Sequence, residues 1–191
     1  TLYSSYMTGR THDVAAFTSL VVVMVYTPTI PQISIVTLVT AFGANFIGGL
    51  FPDIDQPTSD LWDNFRLGPV MAKYITRLLG GHRHVSHSLI GVGGIGYLSH
   101  EFLNYASQYL LLDLNMQIIW YSFMIGVVSH ILADMVTKEG VPLLWPLKWD
   151  IGIPPFRFMR ITSGKFMERI IIFPGLIIYT VYLIYQHQDK L

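Results

Sequence analysis

The stretch QIIWYSFMIGVVSHILADMV, residues 117–136, decides the kind of fold to expect. It holds a single carboxylate and no Lys or Arg over twenty residues. At ~1.5 Å per residue, a helix of this length spans the ~30 Å hydrocarbon core of a bilayer. His130 and Asp134 interrupt it near its end, four residues apart. On a helix that spacing sets both on one face, about 5–6 Å apart at Cβ, as two ligands of one ion require.

Four more runs are nearly as apolar: 12–27, 33–51, 88–111 and 169–186. Pro28 and Pro31 stop the first one short, and His100, Glu101 and Asn104 interrupt the 88–111 run. Arg10 before the first run resembles the start of a signal peptide. No small-x-small cleavage pattern follows before Pro28, so the run reads as a retained helix. Thr1 in place of Met reads as a processed or engineered start. The expected fold is all-α: one integral-membrane domain over 1–191, a polytopic bundle of about five transmembrane helices.

Composition agrees. The 191 residues are 52% hydrophobic and 13% charged, about half the ~25% charge usual in soluble domains. Mean hydropathy is +0.47. Twelve Lys and Arg balance twelve Asp and Glu, which gives no net field to attract nucleic acid. There is no cysteine, so disulfides and thiolate sites are excluded and any metal must be held by His and carboxylate.

The charges are unevenly placed. If five helices alternate, the N-terminus, the loops 52–87 and 137–168 and the boundary residue Arg169 carry eleven of the twelve basic residues, leaving Lys190 alone on the other side. By the positive-inside rule, the N-terminus and long loops are expected to be cytoplasmic and the C-terminus outside. After Pro69, Met71, Tyr74, Ile75 and Leu78 recur at helical spacing opposite Lys73 and Arg77, until Gly80-Gly81. This suits a basic amphipathic helix, either at the membrane interface or packed on the bundle. In the second long loop Trp145, Trp149, Phe156, Phe158 and Phe166 alternate with Lys148, Arg157, Arg160 and Lys165, a headgroup-zone composition.

Alternation also brings four polar groups to this same face: His12; Asp53 and Asp55 after Pro52; His82-Arg83-His84-Val85-Ser86-His87-Ser88; and His130 with Asp134. Each has a plain structural explanation when taken alone. His12 can cap or snorkel, the two aspartates can be solvated turn carboxylates, and His130 can simply bond Asp134. In an extended segment Asp53 and Asp55 would point the same way. Ser86 can cap the next helix, which would put His87 in its first turn. Gly91-Val92-Gly93-Gly94-Ile95-Gly96 matches a dinucleotide fingerprint but lies inside an apolar helix, so close packing is the expectation. His100, Glu101 and Asn104 belong to the far side of the bundle.

In order, Thr11-His12, Pro52-Asp53-Ile54-Asp55, His82-Arg83-x-x-Ser86-His87-Ser88 and His130-x-x-x-Asp134-x-x-Thr137-x-x-Gly140 resemble the motifs of the YdjM-like inner-membrane proteins, a family described as metal-dependent hydrolases. The resemblance covers about residues 11–147. In that family the histidine motif reads His-Arg-Gly-x-Thr-His-Ser; His84 and Ser86 depart from it here, and His84 is not expected to be a ligand.

The working expectation is a cytoplasm-facing phosphoesterase acting on a lipid or lipid-linked phosphate. Its partners would be membrane lipids and no nucleic acid. His12, Asp53, His87, His130 and Asp134 would ligate one or two divalent ions, Zn²⁺ or Mn²⁺. Asp55 would bridge two ions or orient the water, His82 would ligate or protonate the leaving group, and Arg83 would hold the phosphate. The alternatives are a metal-ion or proton-coupled transporter using the same ligands, and a structural membrane protein with a metal clip.

Overall fold

Side-chain caps set the starts of three helices. Ser34 Oγ accepts from Thr37 N (3.1 Å), Ser88 Oγ from Gly91 N (3.0 Å) and Asn115 Oδ1 from Ile118 N (3.1 Å), each occupying an otherwise orphaned N–H. The computed structural model describes residues 9–28, 33–56, 59, 62, 68–78, 85–110 and 112–188. Among these, six α-helices follow in order: α1 Gly9–Tyr26, α2 Ile35–Leu50, α3 Gly68–Leu78, α4 Leu89–Ser107, α5 Met116–Met135 and α6 Phe173–Gln186. The described residues form no strand, only isolated bridges that pair Thr137 with Ile161 and Val141 with Ile151.

Ile35–Asp55, Met116–Met135 and Glu168–Gln186 are long and apolar enough to cross a membrane. The first of these is α2 continued by a 3₁₀ turn, Phe51–Asp55, and the last is a short π-helical turn running into α6. The other two expected spans, α1 and α4, form helices at the expected positions but fall short of that standard. The first opens on Arg10, Thr11, His12 and Asp13, and the second carries His100, Glu101 and Asn104. Large apolar side chains such as Val39, Leu98, Phe102 and Ile178 are exposed along the helix faces, as a lipid-facing surface requires.

The centre of the bundle is α5, packed on α2 and α1 and more lightly on α4. Contact with α2 is backbone to backbone. A Cβ on Gly48 would fall 2.0 Å from Phe123 O, and one on Gly126 2.2 Å from Asn45 O. Small residues of this kind let membrane helices approach closely, and Asn45 Nδ2 adds a bond to Ser122 O at 3.1 Å. Hydroxyl contacts join α1 to the last helical segment, with Thr18 Oγ1 2.7 Å from Thr180 Oγ1 and Thr11 Oγ1 donating to the fully buried Glu168 (2.7 Å).

The amphipathic segment is α3. It docks on the 3₁₀ turn through buried Ala72 and through Thr76, whose Oγ1 lies 2.8 Å from Asp55 O and 2.7 Å from Ala72 O. Met71 and Tyr74 stay exposed with Lys73 and Arg77. The helix is therefore packed on the bundle and still presents apolar side chains outward; Gly80 and Gly81, expected to end it, lie outside the described residues. In the 137–168 loop Arg160 donates to the carbonyls of Pro154 (2.7 Å) and Pro155 (2.9 Å), while Trp149, Phe156, Phe158 and Phe166 point outward.

Candidate metal centre

The expected residues converge from four stretches of chain. His12 comes from the first turns of α1, Asp53 from the turn after α2, His87 from just before α4, and His130 and Asp134 from the end of α5. Four of the five side chains are at most 4% exposed, and Asp53 is 25% exposed. His12 Nε2 lies 3.6 Å from Asp134 Oδ1. His87 Nε2 is 3.3 Å from Asp134 Oδ2 and 3.7 Å from Asp53 Oδ1. His130 Nε2 is 3.5 Å from Asp53 Oδ1 and 3.8 Å from Asp134 Oδ2. The His12 ring stacks on His130 at 3.9 Å, and His87 meets His130 edge-on at 5.4 Å.

These separations exceed the ~2.7–3.2 Å of a good hydrogen bond. Donors held ~2.0–2.2 Å from one ion stand roughly 3.3–3.6 Å apart across a tetrahedral edge, close to what is seen. His130 supplies the sharper test. Its Nδ1 is 2.6 Å from Gly49 O, and a carbonyl can only accept, so Nδ1 carries the proton. In the neutral ring Nε2 is then a lone pair, buried, without a hydrogen bond and facing carboxylate oxygens. A cation fits that arrangement, and the Gly49 contact is the outer-shell bond that a ligating histidine ordinarily makes.

His12, His130 and Asp134 form one group able to hold an ion, and Asp53, His87 and His130 a second. His130 belongs to both. With Nδ1 committed to Gly49 it can serve only one ion, so these are not two independent three-ligand sites. Burial pushes the His87 imidazole below its ordinary pKa, against the opposing pull of the Asp134 carboxylate, which favours the neutral, ligand-ready ring.

Three sequence expectations come out differently. Asp53 and Asp55 sit on a 3₁₀ turn rather than an extended segment and approach opposite edges of His87: Asp53 at Nε2, and Asp55 Oδ2 at Nδ1, 3.9 Å away. Asp55 thus lies behind the ring, bound by the Ser86 hydroxyl, rather than among the converging ligand atoms. The cap of α4 is Ser88, so His87 precedes the helix and Ser86 is free for its bridge to Asp55 and His87. His82, Arg83 and His84 lie outside the described residues.

At the far end of α4, His100 and Asn104 line a cavity of about 500 Å³ with Gln117 and Trp120, well away from the centre. Gly91 and Gly96 serve packing, against Val85 O and the Met124 and Trp120 side chains. Gly49 and Glu168 escaped sequence reading. The Gly48-Gly49 pair was the available signal for the first, and a lone acid opening an apolar run for the second.

A family model described as YdjM inner membrane protein matches residues 7–189. The chain belongs to the YdjM family. It is 35% identical over 122 residues to the inner membrane protein YdjM of Escherichia coli (strain K12), and equally to that of Shigella flexneri; the match covers 64% of this chain and 56% of each relative. The chain thus spans little more than half the length of these two relatives. Against the uncharacterized protein YvsG of Bacillus subtilis (strain 168) it is 27% identical over 179 residues, covering 94% of this chain and 95% of the relative. No solved structure matches. Family membership and the three apolar helices place the chain in a membrane.

Proposed function

We propose that this YdjM-family chain is a metal-dependent hydrolase, a phosphoesterase acting on a lipid or lipid-linked phosphate at the cytoplasmic face. The observation that carries the reading is the His/Asp cluster, buried except along the Asp53 flank. Structural ions are usually closed off by protein, whereas catalytic ions keep an open position for water or substrate. Here His12, His87, His130 and Asp134 close the centre, and Asp53 offers the open side.

A divalent ion, Zn²⁺ or Mn²⁺, held by His12, Asp53, His87, His130 and Asp134 would activate water near neutral pH and offset charge building on phosphoryl oxygens. Asp53, the partly exposed member of the group, would orient the attacking water. Arg83 and His82 are assigned from their motif positions, Arg83 to clamp the phosphate and His82 to protonate the leaving group. The basic side holding eleven of the twelve cations supports the cytoplasmic orientation.

The test is elemental analysis of the detergent-purified protein with release of phosphate from lipid phosphomonoesters and diesters, repeated on His130→Ala and Asp134→Ala. Stoichiometric zinc or manganese and turnover, both lost in the variants, are expected. Wild-type protein free of metal, or Asp134→Ala unchanged in both measurements, would overturn the proposal. Ion flux in sealed vesicles without phosphate release would assign the ligands to transport.

A further inference from the structure

Asp55, Ser86 and His87 are almost completely buried, at 0%, 3% and 0% exposure. Thirty-one residues separate the aspartate from the serine, so the contact is made by the fold. A serine hydroxyl has one proton to give. The bond from Ser86 Oγ to Asp55 Oδ2 therefore uses the serine proton. Ser86 Oγ also lies 2.8 Å from His87 Nδ1, and with its proton given to Asp55 it can meet that nitrogen only as an acceptor. His87 must then carry its proton on Nδ1.

A neutral imidazole has one N–H, so Nε2 is left as the lone-pair nitrogen, directed at the centre beside Asp134 Oδ2 (3.3 Å) and Asp53 Oδ1 (3.7 Å). The opposite tautomer would put N–H on Nε2, donate it to Asp134 and remove a ligand. We infer that Asp55 and Ser86 are positioning residues that lock His87 in its Nδ1–H tautomer and so keep Nε2 available to a metal ion. The inference rests on the metal-binding reading for its purpose, and the proton arrangement follows from the two Ser86 contacts.

The surroundings brace the relay. Thr76 Oγ1 of α3 lies 2.8 Å from Asp55 O, sharing its proton with Ala72 O (2.7 Å), and Trp62 Nε1 donates to the preceding carbonyl of Ile54 (3.2 Å). Because Ser88 caps α4, Ser86 is not needed there. The two histidines His130 and His87 are thus oriented in the same sense by different means, one by the Gly49 carbonyl and the other by a carboxylate acting through a hydroxyl.

The test is ¹H–¹⁵N correlation of imidazole nitrogens in the full chain, histidine-labelled, in detergent and stripped of metal at neutral pH. The His87 signals are identified by their loss in His87→Asn. Wild type and Ser86→Thr, which keeps the hydroxyl, are expected to show Nδ1 protonated and Nε2 bare. Ser86→Ala is expected to show Nε2 protonated or a mixture, with zinc affinity weaker by about 10–100-fold, and Ser86→Thr to restore it.

A wild-type His87 protonated on Nε2 overturns the inference, as does Ser86→Ala keeping the wild-type pattern. Should Ser86→Ala not fold, the wild-type and Ser86→Thr spectra decide. A wild-type protein with the Nδ1–H form but no zinc binding would count against the metal reading and leave the relay intact. Zinc binding by a protein whose metal-free His87 is protonated on Nε2 would do the reverse.

Discussion

Gly126 is where the centre can be loosened without touching a ligand. An added methyl would sit 2.2 Å from Asn45 O and 2.7 Å from Gly49 N, whereas real Cβ contacts do not fall below 3.0 Å. Both obstacles are backbone, so no side chain can swing aside. From 2.2 Å to the 3.0 Å floor, α2 must retreat from α5 by about 0.8 Å. The His130 Nδ1–Gly49 O bond, now 2.6 Å, would lengthen by that amount to about 3.4 Å, past the limit of a good N–H···O bond. Overpacking of this kind costs about 1–3 kcal/mol, and loss of an outer-shell bond weakens metal affinity about 10–100-fold. Gly43→Ala in α2 is the control, because nothing lies within 4 Å of its added methyl. Thermal unfolding and zinc titration of both variants in detergent should show Gly126→Ala destabilised and weak in zinc binding, with Gly43→Ala close to wild type. Equal zinc affinity in the two variants would refute the idea that the α2–α5 contact sets the geometry of the centre.

His12→Ala should reduce metal content, while His100→Ala, at the far end of α4, should leave it unchanged; elemental analysis of both tests whether the ligands are confined to one end of the bundle. Folding holds the His87 pKa below its ordinary value of about 6.5. As pH falls through 6.5 the unfolded chain takes up this proton before the folded one does, so the metal-free protein should lose stability from about pH 6.5 downward, read as a falling melting temperature in chelator. Thr11→Val removes a hydroxyl donor from fully buried Glu168 and should lower stability by about 1–3 kcal/mol in thermal unfolding, without altering the metal ligands.

Helix positions were legible because apolar runs the length of a bilayer crossing have few other solutions. The convergence of His12, Asp53, His87, His130 and Asp134 followed from parity: with alternating helices, the starts of α1 and α4 share a level with the ends of α2 and α5. Details at a single nitrogen were not legible. No periodicity says that Gly49 will lend its carbonyl to His130, since that depends on how closely two backbones approach at Gly48 and Gly126. The Ser86 cap was a sound local reading of the residue type, but Ser88 is equally good chemistry, and tertiary contact with Asp55 selected between them. Spacing alone could not place Asp55 behind His87 either, because the 3₁₀ turn after Pro52 rotates successive side chains differently from a strand.

The level of the centre within the bundle bears on the choice between hydrolysis and transport. A transported ion must meet protein ligands where access can alternate, usually near the bilayer midplane on interrupted helices. The candidate ligands here sit at or near helix ends, and α5 runs unbroken from Met116 to Met135. From Phe123 to Val128 it carries only apolar side chains and glycine, separating the His130 end from the Trp120 end. That stretch packs backbone to backbone on α2 through Gly126 and Gly48, where an added Cβ would meet only backbone atoms. An ion reaching the centre past Asp53 would therefore meet no polar side chain of α5 between Phe123 and Val128. A centre gathered at helix ends beside an unbroken helix is poorly suited to carrying an ion across, which favours the proposed hydrolase over a transporter.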